Sequence, residues 1–411
     1  MSSRLATHAQ GKVFVDEVFD AVAAVGRATA QHGKENVINA TIGSLCDEQE
    51  KLVLLPTVER VFRDLGSDDI AGYASVRGFP EYLTAAIDQT FKNSKPDAYI
   101  EAVATSGGTG AIHNFIWNYS NIGDAVLTHD WHWQPYTVLC SDIMRRLESF
   151  TFFDDKQKFH IESFASKVRE LIAKQDNLVI ILNTPNHNPT GYSITDAEWD
   201  QIIAVINQNA TGQKTIALLA DIAYIDYATD PNQCRTFMKK FDTLSPNVFA
   251  AFAFSMSKGF TLYGQRMGAL IGVSKDKQAI DEFVNAAVIT CRTRWSNLSR
   301  AAMRTLAGIY KDKTLLEQVD QERRQYAALL QQRADLFVTE AKAAGLKFLP
   351  YTAGFFITIP TDNPVAVSNI LRESNIYVVP MAKGIRIAVC AVPVNKIRGL
   401  AVKVAEAFNK A

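Results

Sequence analysis

The sequence SMSKGFTLYGQRMG at residues 255–268 decides how the rest of the chain is interpreted, because it places a lysine just after an apolar segment. The preceding residues 248–254 are apolar and partly aromatic, a pattern that predicts a short buried strand. Lys258 then follows the carboxyl end of that strand. Ligands bind at this edge in open α/β sheets, so Lys258 is a candidate ligand-binding residue.

Three side chains around Lys258 favour an anionic ligand. Ser255 and Ser257 offer hydroxyl groups and Arg266 offers a fixed cation, which together suit a phosphate group. An ordinary lysine, with a pKa of about 10.4, is protonated at neutral pH and does not attack an aldehyde. Burial beside a second cation favours the neutral amine. A lysine next to a phosphate site indicates pyridoxal phosphate, whereas an exposed loop lysine is the alternative.

The composition is that of a soluble globular protein with a small-molecule ligand. Lysine plus arginine and aspartate plus glutamate each total 43, so no excess charge predicts a nucleic acid or a membrane as partner. The five cysteines are scattered and form no C-x-x-C pair, which argues against disulfides and structural zinc. The first residues lack the apolar core of a signal peptide, and no segment reaches about 20 apolar residues. We expect a cytoplasmic protein.

Short apolar segments alternate with helical patterns through the middle of the chain. Strands are predicted at residues 102–105, 125–128, 149–153, 178–182, 215–220 and 248–254. Strands that alternate with helices predict an α/β fold with a large, doubly wound, mostly parallel sheet.

The length of 411 residues predicts more than one domain. We predict a large domain at residues 51–310 and a smaller α+β domain formed by both chain ends, residues 1–50 and 311–411. The first end is predicted to hold a helix at 13–25 and a strand at 37–42. The second is predicted to hold strands at 355–359, 377–379 and 384–389 and a final helix through Ile397, Leu400, Val404 and Phe408.

A glycine-rich turn follows the first strand of the predicted sheet. Residues 106–119, SGGTGAIHNFIWNY, predict a helix that begins at the glycines, since Ile112, Phe115 and Tyr119 share one face. Backbone N–H groups at such a helix start bind phosphate, and glycine allows a close approach. A plain strand-to-helix turn is the alternative. The spacing is not G-x-G-x-x-G, which disfavours a nicotinamide dehydrogenase.

Two further motifs follow predicted strands: NTPNHNPTG at residues 183–191 and DIAY at residues 221–224. Asp221 closes an apolar segment, where its carboxylate can pair with a protonated pyridine nitrogen and make the ring an electron sink. Tyr224 can donate a hydrogen bond to the ring hydroxyl. Taken alone, Asp221 fits a helix cap or a turn better.

Together these motifs, in this order and spacing, resemble the fold type I, class I aminotransferases, and the lysine segment is most similar to the aspartate and aromatic amino acid branch. The resemblance covers most of the chain and implies a seven-stranded sheet. It implies pyridoxal phosphate bound covalently by Lys258, the acid–base catalyst, with Asp221 and Tyr224 also catalytic. The cofactor's phosphate would contact Gly108, Thr109, Ser255, Ser257 and Arg266, and its ring Asp221, Asn188, Tyr224 and Trp133, for which Trp131 is the alternative.

The resemblance also implies a homodimer with shared active sites. Tyr73, in GYASVRG, matches the family's tyrosine that reaches the phosphate of the neighbouring subunit. Arg386 matches the arginine that binds the substrate α-carboxylate, and Gly43 matches the glycine that closes over the substrate. Asn188 and Trp133 are implied as substrate contacts as well as cofactor contacts.

Arg292, in CRTRWSN, matches the arginine that the branch lends across the dimer to a distal substrate carboxylate. The following SNLSRA departs from the consecutive prolines that are usual in the branch. Arg294, Arg300 and a surface ion pair are the alternatives.

The implied function is transfer of an amino group between an L-amino acid (glutamate, aspartate or an aromatic amino acid) and a 2-oxo acid. A pyridoxal-phosphate-dependent carbon–sulfur lyase and a non-catalytic regulator that binds the cofactor are alternatives. The histidines at 113, 129, 132, 160 and 187 have no metal-ligand spacing, so we expect no metal site.

Overall fold

The computed structural model describes residues 3–13 and 17–411. Unit 1 of its two compact units comprises Met1–Glu50, Arg333–Leu349 and Phe356–Ala411, and unit 2 comprises Lys51–Gln332 and Pro350–Phe355. The boundary predicted at residue 310 falls inside the helix Arg300–Lys311. The structure divides further along, within the long helix Lys313–Ala343. An uninterrupted helix gives no change of sequence pattern that would mark the division.

The strands of the described residues are numbered in chain order. They are β1 (Ile38–Asn39), β2 (Tyr99–Ser106), β3 (Ala125–His129), β4 (Arg146–Phe150), β5 (Asn177–Asn183), β6 (Thr215–Asp221), β7 (Val248–Ser255), β8 (Met267–Ser274), β9 (Phe356–Pro360), β10 (Ile376–Tyr377), β11 (Val379–Met381) and β12 (Gly384–Ala388).

The α-helices of the same residues are α1 (Glu17–His32), α2 (Pro56–Arg63), α3 (Ser67–Ala71), α4 (Pro80–Phe91), α5 (Gly107–Tyr119), α6 (Pro135–Asp142), α7 (Ile161–Ile172), α8 (Asp196–Asn209), α9 (Met256–Gly259), α10 (Lys277–Arg294), α11 (Arg300–Lys311), α12 (Lys313–Ala343), α13 (Pro364–Glu373), α14 (Val394–Ile397) and α15 (Leu400–Lys410). Short 3-10 helices lie at Thr7–Ala9, Lys34–Asn36, Ile225–Tyr227, Gln233–Thr243, Tyr263–Gln265 and Val389–Ala391.

The described part of unit 2 contains one seven-stranded sheet with the strand order β2-β8-β7-β6-β5-β3-β4. Neighbouring strands from β7 to β4 are parallel, which confirms the predicted α/β fold with its mostly parallel sheet. Strand β8 runs antiparallel to both of its neighbours, β2 and β7. The last residue of β7, Ser255, lies opposite Gly268 of β8, so β7 and β8 form a hairpin that carries Lys258 in its connection.

Strand β8 is missing from the sequence prediction because glycines interrupt its apolar pattern. In the structure these glycines sit where no side chain fits. A Cβ at Gly268 would overlap the carbonyl oxygen of Phe254, and a Cβ at Gly272 would lie 2.7 Å from the ring of Phe283. The glycines therefore allow close packing in the middle of the sheet.

The central strands are buried on both faces, as expected when helices cover a parallel sheet. Every residue of β5 after Asn177 and of β6 after Thr215 is buried. One apolar core forms between the sheet and α5, α6 and α10, and includes Phe115, Tyr136 and Phe283. A large continuous core of this kind holds the strand ends in fixed positions.

Strand β4 spans Arg146–Phe150 and not the predicted residues 149–153. It lies at the end of the sheet, next to β3, and its first residue is exposed. Edge strands carry charged side chains, so Arg146 and Glu148 hide the strand in a search for apolar segments. The apolar residues that follow the strand led to the wrong prediction of a strand at residues 149–153.

In unit 1, β9, β12 and β11 form an antiparallel sheet, and β1 pairs in parallel with β10. Helix α1 runs to His32, beyond the predicted end at residue 25, and residues 14–16 of that prediction lie outside the described residues. The strand predicted at 37–42 reduces to β1. The predicted final helix is two helices, because Gly399 with a φ of 77° ends α14 before α15 begins.

Candidate active site

The candidate site of unit 2 lies at the carboxyl edge of the sheet. Asp221 is the last residue of β6 and Ser255 is the last residue of the neighbouring parallel strand β7. Lys258 follows three residues later, in α9. Parallel strands end at the same edge, so the fold brings these residues together although they are far apart in sequence.

Lys258 is half-buried among aromatic rings. Its Nζ lies 5.4 Å from the ring centre of Tyr224 and 5.8 Å from that of Tyr263. Burial raises the pKa of the Asp221 carboxyl group, and the charge of Lys258 is the smallest of the influences that oppose this rise. Lysine, carboxylate and phenol therefore share one small region.

A set of anion-binding groups borders the same edge. Arg266 adopts a left-handed backbone conformation, and its Nη1 donates hydrogen bonds to Ser257 Oγ at 3.1 Å and to the carbonyl of Tyr263 at 2.9 Å. Gly107 has a φ of +66°, and a Cβ there would lie 2.7 Å from Arg266 Nη2. The first turn of α5 thus passes directly beside the guanidinium.

The start of α5 supplies backbone donors at this place. Ser106, which precedes the helix, makes no side-chain hydrogen bond to its first turn. The first N–H groups of a helix have no acceptor within it, and those of Gly107, Gly108 and Thr109 are available to an anion. Gly108 also lies against Ser255, whose Cβ would be 3.4 Å from a Cβ at position 108. The predicted phosphate contacts are therefore assembled in one place.

Asp221 is a buried carboxylate with a defined set of donors. It is 5% exposed, and Tyr136 donates its hydroxyl to Asp221 Oδ2 at 2.6 Å while the N–H of Ala223 donates to Oδ1 at 3.2 Å. Burial raises the pKa of Asp221 above its usual value, and these hydrogen bonds and the charge of Lys258 partly oppose that rise. A buried carboxylate of this kind is suited to pair with a cationic ring nitrogen.

Asn188 and Tyr224, predicted from separate motifs, contact each other. Asn188 Nδ2 donates to the hydroxyl of Tyr224 at 3.1 Å. The loop that carries Asn188 is held by Asn183 Oδ1, which accepts the Asn188 N–H at 2.7 Å, and by Asn186 Nδ2, which donates to the carbonyl of Tyr224 at 3.0 Å. The NTPNHNPTG and DIAY motifs are therefore joined by hydrogen bonds into one group of side chains.

Trp133 packs against Tyr136, which in turn contacts Asp221. The two rings meet edge to face, with centroids 5.5 Å apart at 90°. Trp131, the alternative, is also half-buried and lies two residues beyond β3. The contact with Tyr136 links Trp133 to Asp221.

The sequence interpretation missed Tyr136. It is fully buried, and burial together with the neighbouring Asp221 raises the pKa of its phenol well above the usual value, so it remains a hydrogen-bond donor. Tyr136 is the second residue of α6, and no motif around it in the sequence marked it as a functional residue. His129 and His187 are also buried and pack edge to face, 4.3 Å apart. Burial lowers the pKa of His129 to about 3, so it is neutral.

Tyr73 and Arg292 lie at the surface of the described chain. Tyr73 is 87% exposed, and the exposed Arg292 donates to Ser296 Oγ at 2.8 Å. The two rival arginines are engaged elsewhere. The guanidinium of Arg294 lies 4.5 Å from the ring centre of Trp117, and Arg300 pairs with Asp69 at 2.9 Å.

Within unit 1, Arg386 and Gly43 both contact Phe356. Arg386 is 7% exposed, donates from Nη2 to the carbonyl of Thr41 at 3.0 Å, and lies 4.4 Å from the centre of the Phe356 ring. A Cβ at Gly43 would lie 2.9 Å from the same ring, so a larger residue at position 43 would displace Phe356.

The groups present in unit 2 fit pyridoxal phosphate. The cofactor has a phosphate, a basic ring nitrogen, a ring hydroxyl and an aldehyde, and the unit offers donors beside Gly107, a buried carboxylate at Asp221, a phenol–amide pair and a lysine. Among the described residues, no cluster of three or more histidine, cysteine, aspartate or glutamate side chains could hold a metal ion. No helix of the described residues is long and apolar enough to cross a membrane.

This sheet, with a lysine after β7 and a carboxylate at the end of β6, defines the fold type I architecture of pyridoxal-phosphate-dependent transferases. The sequence profile described as aminotransferase class I and II matches residues 35–404, and the chain belongs to that family.

Known proteins of similar sequence and structure agree with this assignment. An aminotransferase from Anaerococcus prevotii is 37% identical and superposes with a TM-score of 0.97 over 99% of this chain and 100% of that one. The fold is also that of an aromatic-amino-acid aminotransferase from Burkholderia pseudomallei covalently bound to pyridoxal phosphate, with 20% identity and a TM-score of 0.81 over 98% of this chain and 100% of that one. A cytoplasmic aspartate aminotransferase of Caenorhabditis elegans is 26% identical over 63% of this chain, and the match spans 64% of that enzyme's length.

Proposed function

We propose that the protein is a pyridoxal-phosphate-dependent aminotransferase that moves the α-amino group between an L-amino acid and a 2-oxo acid. The observation that carries this proposal is the convergence of Lys258, Asp221 and the Asn188–Tyr224 pair at one sheet edge. Membership of the class I and II family and the cofactor named for the Burkholderia enzyme support it.

Pyridoxal phosphate, when bound, supplies an electron sink that stabilises negative charge at the substrate Cα. The chain's own groups hold it. Arg266, Ser255, Ser257 and the amides of Gly108 and Thr109 bind its phosphate, because cation, hydroxyl and N–H donors converge beside α5.

Five other residues set the orientation and charge of the cofactor's ring. Asp221 pairs with the ring nitrogen and keeps it protonated, and Tyr136 holds Asp221 in place. Asn188 and Tyr224 donate to the ring hydroxyl, and Trp133 packs on the ring face. The role of Tyr136 follows from its 2.6 Å hydrogen bond and extends the set of residues predicted from sequence.

Lys258 has two roles in this proposal. Its amine binds the cofactor covalently when no substrate is present. With substrate present, the same Nζ would act as the acid–base catalyst that takes a proton from the substrate Cα. This amine is half-buried, with Tyr224 and Tyr263 on its sides, which limits its contact with water.

Substrate carboxylates are bound by arginines. Arg386 binds the α-carboxylate through two parallel hydrogen bonds from its planar guanidinium group, and Gly43 allows the chain to close over the substrate. Arg292 binds a distal carboxylate in the active site of the partner subunit, and Tyr73 reaches that subunit's phosphate site. The exposure of both side chains in the single chain supports a homodimer with shared sites. Glutamate is then the shared amino donor, with aspartate or an aromatic amino acid as the second substrate.

A cytoplasmic location completes the proposal. The described cysteines are free, and the Caenorhabditis elegans relative carries the description cytoplasmic.

Absorbance and product analysis test the function. The purified protein with added cofactor should absorb visible light, and the band should shift when glutamate is added and return when a 2-oxo acid is added. The 2-oxo product should form without release of ammonia or sulfide. Release of sulfide from cysteine derivatives would assign a lyase, and a band that no amino acid shifts would leave only a binding protein.

A further inference from the structure

A cluster of buried charges lies beneath the lysine segment in unit 2. Asp226 and Arg235 form an ion pair at 2.7 Å, with side chains 7% and 0% exposed. Gln89 donates to the same Asp226 Oδ1 at 2.5 Å, and Tyr310 donates to Gln89 Oε1 at 2.5 Å. Ionic groups this deep are costly to desolvate, and removal of one partner leaves the other charge buried and uncompensated.

The cluster touches the backbone that carries Lys258. Arg323, only 3% exposed, donates from Nε to the carbonyl of Gly259 at 2.5 Å, and its guanidinium lies 4.1 Å from the ring centre of Phe260. Tyr227 donates its hydroxyl to the carbonyl of Lys258 itself at 3.2 Å. A side chain at Gly259 would overlap Asp226 Oδ2, so the carboxylate lies directly against the segment.

The charges of the cluster keep each other in place. Burial alone would raise the pKa of Asp226, but Arg323 and Arg235 hold it below its usual value, so the carboxylate stays ionised. On its other side, Arg323 Nη1 pairs with Asp320 Oδ1 at 3.0 Å, and Lys92 pairs with the second oxygen of that carboxylate at 3.1 Å. Arg323 is therefore held by its ion pair with Asp320 and by its hydrogen bond to Gly259, and the negative charge of Asp226 attracts it from the other side.

We propose that Tyr227 and Arg323 are positioning residues, which fix the backbone of Lys258 and Gly259 so that the amine of Lys258 meets its target atoms. This inference rests on the proposed function. Neither residue touches substrate or cofactor in the proposal. They act through the carbonyl groups of Lys258 and Gly259. Arg235 holds Asp226 in place, and the charge of Asp226 attracts Arg323.

The geometric requirement on Lys258 is strict. A lysine that must move a proton to and from one carbon loses rate steeply when its backbone shifts, because a misplacement of about 1 Å can cost about a hundredfold. Its side chain has four rotatable bonds, so a fixed backbone is the means by which the fold limits where the amine can go. The two carbonyl contacts supply that restraint.

A matched pair of substitutions tests the proposal in the holoenzyme. Tyr227→Phe removes the hydroxyl that contacts Lys258, and Tyr310→Phe removes a hydroxyl from the same cluster that contacts Gln89. We expect Tyr227→Phe to lower kcat about tenfold with an unchanged KM for glutamate, and to alter the visible circular dichroism of the bound cofactor. Tyr310→Phe should lose similar thermal stability but keep wild-type kcat and circular dichroism.

A second variant guards against a change that acts only on folding. Arg323→Lys keeps a positive charge beside Asp226 but not the planar fork that reaches Gly259. It should resemble Tyr227→Phe, with a lower kcat, an unchanged KM and an altered circular dichroism band.

The possible failures are distinguishable. A wild-type protein without transamination would remove the proposed function itself. A wild-type enzyme that is active, together with Tyr227→Phe and Tyr310→Phe variants that behave alike, would reduce the cluster to a stabilising core and overturn the inference. Wild-type kcat and circular dichroism in Arg323→Lys would exclude Arg323 from the positioning role.

Discussion

Replacing Tyr136 with phenylalanine removes one hydroxyl group from a buried carboxylate, and its effect can be worked out from the contact. Tyr136 donates to Asp221 Oδ2 at 2.6 Å, and both residues are at most 5% exposed. A hydrogen bond to a charged group contributes about 1.5–3 kcal/mol, so Tyr136→Phe should lower the free energy of unfolding by about 2 kcal/mol at neutral pH. The cavity left by one oxygen adds little.

A double-mutant cycle isolates this contact. In an Asp221→Asn background the phenol still meets an oxygen, but a neutral one, so Tyr136→Phe should cost only about 1 kcal/mol there. Urea unfolding of the cofactor-free protein measures both values. Intrinsic fluorescence is the right signal because all five tryptophans, Trp117, Trp131, Trp133, Trp199 and Trp295, lie in unit 2 with the contact.

The pH dependence has a definite sign. The pKa of Asp221 in the folded protein is raised by burial above its usual 3.8, so the carboxyl group takes up its proton more readily in the folded state than in the unfolded state. Below that raised value the hydrogen bond is neutral. The cost of Tyr136→Phe should therefore fall from about 2 toward about 1 kcal/mol as the pH is lowered through the folded pKa. Equal costs in both backgrounds and at every pH would refute a bond to an ionised Asp221.

Three further substitutions test the proposed site. Lys258→Ala should abolish labelling by borohydride and pyridoxal phosphate, which peptide mapping of the wild type should find on Lys258, and a label on another lysine would contradict the assignment. Gly107→Ala should weaken cofactor binding more than tenfold in fluorescence titrations, because its Cβ would lie 2.7 Å from Arg266 Nη2; Gly123→Ala, with a φ of +88° and open space around it, should leave binding unchanged. Arg292→Ala should lower kcat/KM for aspartate and glutamate by an amount that corresponds to about 2–5 kcal/mol of transition-state stabilisation, and should leave kcat/KM for phenylalanine and tyrosine nearly unchanged. An equal loss of kcat/KM for all four substrates would make Arg292 a structural residue.

Most of the candidate site was predictable because its residues follow strand ends, and strand ends of a parallel sheet share one edge. Lys258, Asp221 and Asn188 each follow an apolar segment that is visible in the sequence. Tyr136 was not predictable in this way. It lies inside a helix, and only the packing of α6 against the sheet shows that its hydroxyl reaches Asp221.

The errors in the fold have physical causes of the same kind. A search for apolar segments finds buried strands. It misses strands whose residues are polar because they lie at an edge, or small because neighbouring groups approach closely. Strand β4 is polar because it forms an edge, and β8 contains glycines because its neighbours approach closely. The buried ion pair of Asp226 and Arg235 could not be predicted from the sequence either, because a charged residue is expected to be exposed unless its partner is known.

The hairpin of β7 and β8 has a consequence for how this enzyme family can vary. Ser255 and Gly268 lie opposite each other, so the segment between them leaves the sheet and returns to it at one point. Lys258 is thus carried on a closed segment whose two ends are joined by the pairing of β7 with β8. Exchange of residues 256–266 for the same segment of a relative leaves the paired ends of β7 and β8 unchanged. Substitutions within this segment can therefore alter the surroundings of Lys258 while the strand pairing is kept, provided that the contacts of Tyr227 and Arg323 with the segment's carbonyl groups are also kept.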